Sequence, residues 1–112
     1  IHINPIDAKL RGLKNKDVVK VFNSRGSCFA VVEIDKNLRR NVVQMFTGAW
    51  FDPADLREKN SPCKNGNPNV LTPDKGTSKL GQGPIAHTCL VDIKIANPSP
   101  PRVTAYDPPK II

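Results

Sequence analysis

The chain has 112 residues, the size of one ordinary domain, with 38% hydrophobic residues, eleven prolines and seven glycines, which excludes a helical bundle and favours a turn-rich β architecture. A net charge of +7 suits an anionic partner, yet the cations are scattered and aromatics make up 5%, so the stacking platform of a nucleic-acid binder is missing and none is expected as partner. No apolar run approaches a membrane span, so no membrane partner is expected either.

The sequence opens at IHINPID, without an initiating Met and inside a motif, and is expected to be cut from something longer. NPIDAKLRG predicts a short helix with both ends marked. Asn4 is a good N-cap, Pro5 suits the first helical position, Asp7 lies in the first turn, and Gly12 can take the left-handed conformation beyond the end. At barely two turns, it is expected to be held by packing of Ile6 and Leu10. NKDVVKVFN (15–23) and SCFAVVEID (27–35) predict two strands joined at SRG as a hairpin. VVQMF (42–46) predicts a third strand, and DPADLREK one helical turn behind Asp52 as cap and Pro53. TCLVDIKIA (88–96) reads as the last strand, and the proline-rich tail as extended and peripheral.

Between them lies NGNPNVLTPDKGTSKLGQGPIAH (65–87), with four glycines, three prolines and three asparagines. Loops that long are usually binding loops or linkers. One short extended piece is expected at NVLT. The G-x4-G spacing of GTSKLGQG imitates a phosphate loop, but the following Lys-Ser/Thr is replaced by Gln82 and Gly83, and Pro84 stops the required helix. What remains is a glycine-rich loop with uncharged donors and acceptors, among them Asn69, Thr77, Ser78 and Gln82. The same residues also favour ordinary self-capped surface turns.

Cys28, Cys63 and Cys89 are odd in number and widely spaced, which argues against disulfides and against zinc, and predicts buried or half-buried free thiols. A Cys89–His87 catalytic pair lacks an orienting partner.

Four stretches in order carry a resemblance over residues 3–96. INPIDAKLRGLKNKDVVKVFNSRG resembles the opening of the C-terminal molybdopterin dinucleotide-binding domain of the large molybdenum oxidoreductases. VVQMFTGAWFDP, CKNGNPNVLT and DKGTSKLGQG are similar to its dimethyl sulfoxide, trimethylamine N-oxide and biotin sulfoxide reductase branch. The resemblance implies a six-stranded double-psi β-barrel over residues 1–96 with one or two short helices and long loops, and a tail over 97–112. It also implies a cap over two molybdopterin guanine dinucleotides that chelate molybdenum, in an enzyme that removes oxygen from an S-oxide or N-oxide. The metal ligand of that branch is a serine on an earlier domain. This chain is therefore expected to hold no metal ligand and no catalytic residue, to turn nothing over alone, and to meet the cofactor only in the full-length enzyme. Its partners would be the remaining domains and, through them, the oxide substrate.

Residue by residue, the asparagine of the family's N-x-L-T, here Asn69, is implied to contact the cofactor. Eighteen positions later, where relatives carry Gln or Lys, this chain has His87. Gln82, Thr77 and Ser78 are candidates by loop chemistry alone. A cofactor-contacting HSQ-like stretch that precedes the barrel in the family is not in this sequence. Relatives are mostly periplasmic, which gives the expected compartment, with cytoplasm as alternative. The competing reading is a stand-alone basic barrel for nucleic acid or another polyanion.

Overall fold

In the computed structural model, which describes residues 1–85 and 87–112, strand β1 (His2–Ile3) runs straight into helix α1 (Pro5–Leu10). The helix starts as its sequence dictates. Asn4 sits in extended backbone, its Oδ1 accepts from the Ile6 N–H at 2.9 Å, and Pro5 stands in the first turn. Gly12 takes a φ of +65° beyond the last turn. The packing differs from expectation. Ile6 and Leu10 are 52% and 72% exposed, while Asp7 and Ala8 are buried. The cause is a polar anchor 33 residues away: Asp7 Oδ1 accepts from Arg40 Nε at 2.7 Å, and its Oδ2 from the Asn41 N–H at 2.6 Å. These two bonds turn the acidic face inward and hold the Asp7 carboxyl below its ordinary range.

The hairpin forms as expected. Strands β2 (Val18–Phe22) and β3 (Ser27–Val31) pair antiparallel, with Val19 opposite Ala30 and Val21 opposite Cys28. Val19, Val21 and Cys28 are fully buried, and each valine contributes roughly 1.5–3 kcal/mol by leaving water. The free edge of β3 is taken by Cys63, whose carbonyl accepts from the Phe29 N–H and whose N–H donates to Ser27 O. On the other edge of β2 lies the last strand, β6 (Asp92–Ile95), antiparallel. It is shorter than the expected 88–96 because β2 ends at Phe22, where the chain turns. Leu90 beyond that end is capped by Asn23 Nδ2 at 3.1 Å instead.

A second sheet has the order β4 (Glu33–Ile34), β1, β5 (Val43–Gln44), parallel between β1 and β4 and antiparallel between β1 and β5. The chain passes from one sheet to the other at Val32, which is fully buried and bonded through its N–H and carbonyl to the backbone of Asp17 and Lys16. The strand expected over 42–46 shrinks to two residues because its partner β1 is cut short by the cap at Asn4.

The architecture is therefore mainly β, with short helices and, among the described residues, two three-stranded sheets. A closed barrel is not found among the described residues: the strands of the second sheet are too short to carry pairing around to the first.

The helical turn expected behind Asp52 is also absent among the described residues. Asp55 Oδ1 instead accepts from the Arg57 N–H at 2.9 Å, a local turn that competes with helix. Asp52 itself is buried and faces the tail. Its carboxylate accepts from the Thr104 N–H at 2.6 Å, the Thr104 hydroxyl at 3.0 Å and the Ala105 N–H at 2.9 Å, and Lys64 Nζ lies 3.5 Å away. Burial alone would raise its pKa, but the two Thr104 bonds, the Lys64 ammonium and the Ala105 N–H outweigh it, and the net shift is downward. The tail is mostly exposed as expected, yet tied to the buried Asp52 through Thr104 and Ala105.

The molecule is flat, with extents of 50 × 43 × 22 Å. Its accessible surface is 8425 Å², where a compact 12.3 kDa monomer would expose about 6,100 Å². No helix among the described residues is long and apolar enough to cross a membrane.

Candidate functional site

The stretch 65–87 is held at its start by Asn65, whose Nδ2 donates to Trp50 O at 2.9 Å and to the Tyr106 hydroxyl at 3.3 Å. Next comes a 3₁₀ helix (Pro68–Val70), not the extended piece expected at NVLT. Pro68 fixes φ there, and Asn67 Oδ1 accepts from the Asn69 N–H at 2.9 Å, which caps the turn.

The turn between β2 and β3 clamps this helix. Asn23 Oδ1 accepts from the Arg25 and Gly26 N–H groups and shapes the turn. Asn23 Nδ2 then donates to Leu71 O at 2.8 Å, and Arg25 Nε donates to the same carbonyl at 2.7 Å. Gly26 packs so closely that a Cβ there would meet the Val70 carbonyl oxygen at 2.5 Å. Asn69 therefore rides on a fixed turn. It is exposed, and its carboxamide makes no hydrogen bond among the described residues. A cleft of about 110 Å³ opens beside it, lined by Pro68, Leu71, Thr72, Val21, Val43 and Cys89, among others; Asn69 stands outside its lining.

Residues 75–85 close into a small hairpin of their own. The Thr77 N–H donates to Gly83 O at 2.7 Å, and the Ile85 N–H to Lys75 O at 3.0 Å. At the tip, Ser78 Oγ accepts from the Gly81 N–H at 2.8 Å, and Gln82, with a φ of +50°, donates Nε2 to Lys79 O at 3.1 Å. The structure thus brings Thr77, Ser78 and Gln82 together, with Ser78 and Gln82 engaged in their own turn. The Thr77 hydroxyl makes no hydrogen bond among the described residues. Asn69 lies on a separate turn. His87 is exposed past the hairpin, also without a hydrogen bond among the described residues. Lys75 and Lys79 are exposed, and neither forms an ion pair among the described residues. No group of three or more metal-ligating side chains is found among the described residues.

The chain matches the family model described as "Molydopterin dinucleotide binding domain" over residues 1–90. The chain belongs to this family. It is similar to trimethylamine-N-oxide reductase 1 of Escherichia coli O157:H7, 46% identical over 97% of this chain and 13% of that protein. It is also similar to the trimethylamine-N-oxide reductases of Salmonella typhi, 44% identical over 97% of this chain and 13% of the relative, and of Haemophilus influenzae, 42% over 98% and 14%. The chain thus spans about an eighth of the length of the curated relatives it matches.

In this molydopterin dinucleotide binding domain, the residues that fix Asn69 were missed by sequence reasoning. SRG announces a turn, and an Asn three positions before a Gly announces an Asx turn. Nothing local says that the turn holds Leu71, 48 positions away.

The thiols behave as expected from their spacing: Cys28 and Cys63 are buried and Cys89 is half-buried, all free. Burial first, and the neighbouring Cys63 second, push the Cys28 thiol up to about 12. Iodoacetamide should therefore label Cys89 at least about tenfold faster than Cys28 in the native protein, since the thiolate is the nucleophile. Equal rates by peptide mass spectrometry would contradict this geometry.

Proposed function

We propose that the chain is the cofactor-binding part of a molybdenum oxidoreductase of the trimethylamine-N-oxide reductase type, and that it holds molybdopterin guanine dinucleotide. The observation that carries this reading is the family match over residues 1–90, together with three reductases at 42–46% identity along nearly the whole chain. The donor set suits such a group. A polyanion bearing guanine and pterin rings needs cations for its phosphates and uncharged donors and acceptors for its ring edges. The exposed lysines 75 and 79, the free carboxamide of Asn69, the Thr77 hydroxyl and the exposed imidazole of His87 offer both. Ser78 and Gln82 would join by releasing bonds of their own turn, or by presenting the turn backbone. Molybdenum chelated by the pterins would supply the chemistry that takes oxygen from an N-oxide or S-oxide. The residues of this chain bind, orient and shield, and none holds a reacting proton.

In this reading residues 1–96 form the domain and 97–112 a tail, and the two sheets are portions of a double-psi barrel. The shared strand passage at Val32 supports that topology. The remaining domains of the parent are its partners, trimethylamine N-oxide the preferred substrate over biotin sulfoxide, and the periplasm its compartment.

The test is Asn69→Ala in the full-length enzyme, with molybdenum and releasable guanine nucleotide measured per protein. Loss of one hydrogen bond to the cofactor should weaken retention about tenfold. Wild-type content and activity would remove Asn69 from the site.

A further inference from the structure

One face of the β3–β2–β6 sheet carries a charge arrangement that neither packing nor the cofactor reading uses. The register places Lys20 of β2 directly opposite Lys94 of β6. Like charges in directly opposed positions destabilise a sheet. Two hollows meet at this pair. One, of about 280 Å³, is lined by Lys20 and Lys94 with Phe22, Arg25, Ser27 and Asn60. The other, of about 250 Å³, is lined by the same two lysines with Phe29, Ile95, Pro98 and Pro101. No carboxylate lines either hollow among the described residues. Asp92, on the same face of β6 and opposite Phe22, is the acid that register brings nearest. Yet no ion pair joins it to Lys20, Lys94 or Arg25 among the described residues. Lys94 Nζ stands 5.2 Å over the Phe22 ring, which attracts the cation without neutralising it.

We propose that this groove seats an extended, carboxylate-bearing segment of the longer polypeptide to which the chain belongs. Acidic side chains of the segment bridge Lys20 and Lys94, and its apolar side chains enter the proline-rimmed hollow. The inference rests on the reading of the chain as part of a larger reductase. Three observations select this occupant. The lining is cationic at one end and apolar at the other, which fits a peptide better than a small inorganic anion. The chain is flat and exposes well over the surface of a compact monomer. The relatives are about eight times as long as the matched stretch, so a tethered segment is available at high effective concentration.

The experiment treats the purified full-length enzyme with a water-soluble carbodiimide, which joins a carboxylate to an amine with loss of water, and maps the products by peptide mass spectrometry. The expected result is an isopeptide bond from Lys20 or Lys94 to an Asp or Glu outside residues 1–112. Acetylation of both lysines should also run about tenfold slower in the native than in the unfolded enzyme. Crosslinks to Asp92 alone, crosslinks only to a separate polypeptide, or protection that requires added inorganic phosphate would each overturn the proposal. Guanine nucleotide content is read on the same sample. A loaded enzyme without the crosslink sinks the groove assignment alone. A crosslinked enzyme without nucleotide sinks the cofactor reading and leaves the groove assignment standing.

Discussion

Replacing Asp52 with Ala is expected to lower the unfolding free energy of the 112-residue chain by roughly 3–5 kcal/mol, because it leaves a largely buried charge and part-buried donors without a partner. Lys64 would lose its counter-ion, at 91% burial of its own side chain, and the Thr104 and Ala105 N–H groups would lose their acceptor. Trp50 reports the event. It is the one tryptophan of the chain, and its ring packs 5.7 Å from that of Tyr106 in the tail. Urea unfolding followed by Trp50 fluorescence should show an earlier midpoint for Asp52→Ala, and a smaller shift for Asp52→Asn, which keeps an acceptor. The pH dependence has a fixed sign. The folded pKa is depressed, so the stabilising contribution is full above the unfolded value of about 3.9 and fades as pH falls toward the folded one. Tail release on acidification should therefore begin near pH 4 in the parent sequence and be missing from Asp52→Asn. An unchanged midpoint in Asp52→Ala would show that the tail is not held there.

Gly26→Ala is expected to cost about 1–3 kcal/mol, the range for forcing an extra carbon into a packed contact. The added Cβ would stand 2.5 Å from the Val70 carbonyl oxygen, a backbone atom, with no flexible side-chain end to yield. The 3₁₀ helix must then move off the β2–β3 turn, which lengthens the bonds from Asn23 and Arg25 to Leu71. If Asn69 contacts the cofactor as proposed, the full-length enzyme should then show reduced cofactor content with the Asn69 side chain intact. Ser24→Ala, an exposed change in the same turn, should leave both stability and content unaltered. If Gly26→Ala unfolds at the midpoint of the unchanged protein, the close approach is not structural.

How much of this was legible depended on distance along the chain. The cap of α1 and the β2–β3 hairpin are written within a few residues, by Asn4–Pro5 and by SRG between two β-branched runs, and both formed. Interactions that close over long separations left no local trace. Asp7 with Arg40 and Asp52 with Thr104 each redirect a carboxylate that local rules assign to helix starts. Asp52 is the sharper case, because Asp-Pro is a good cap pattern and yet the hydroxyl and amide of Thr104, 52 residues later, claim the side chain. The thiols were legible because the reading needed only their spacing. The loop residues Thr77, Ser78 and Gln82, named from their donors and acceptors alone, lie together in one hairpin. Their mutual bonding could not be read, since the same groups serve a ligand and a self-capped turn equally well.

Peptide-level hydrogen exchange on the full-length enzyme, with and without its cofactor, bears most directly on the claim that this domain grips the dinucleotide. Binding should slow exchange in peptides covering 68–72 and 75–88, while those covering α1 exchange alike in both forms. Identical exchange through 68–88 in the loaded and empty enzyme would contradict it.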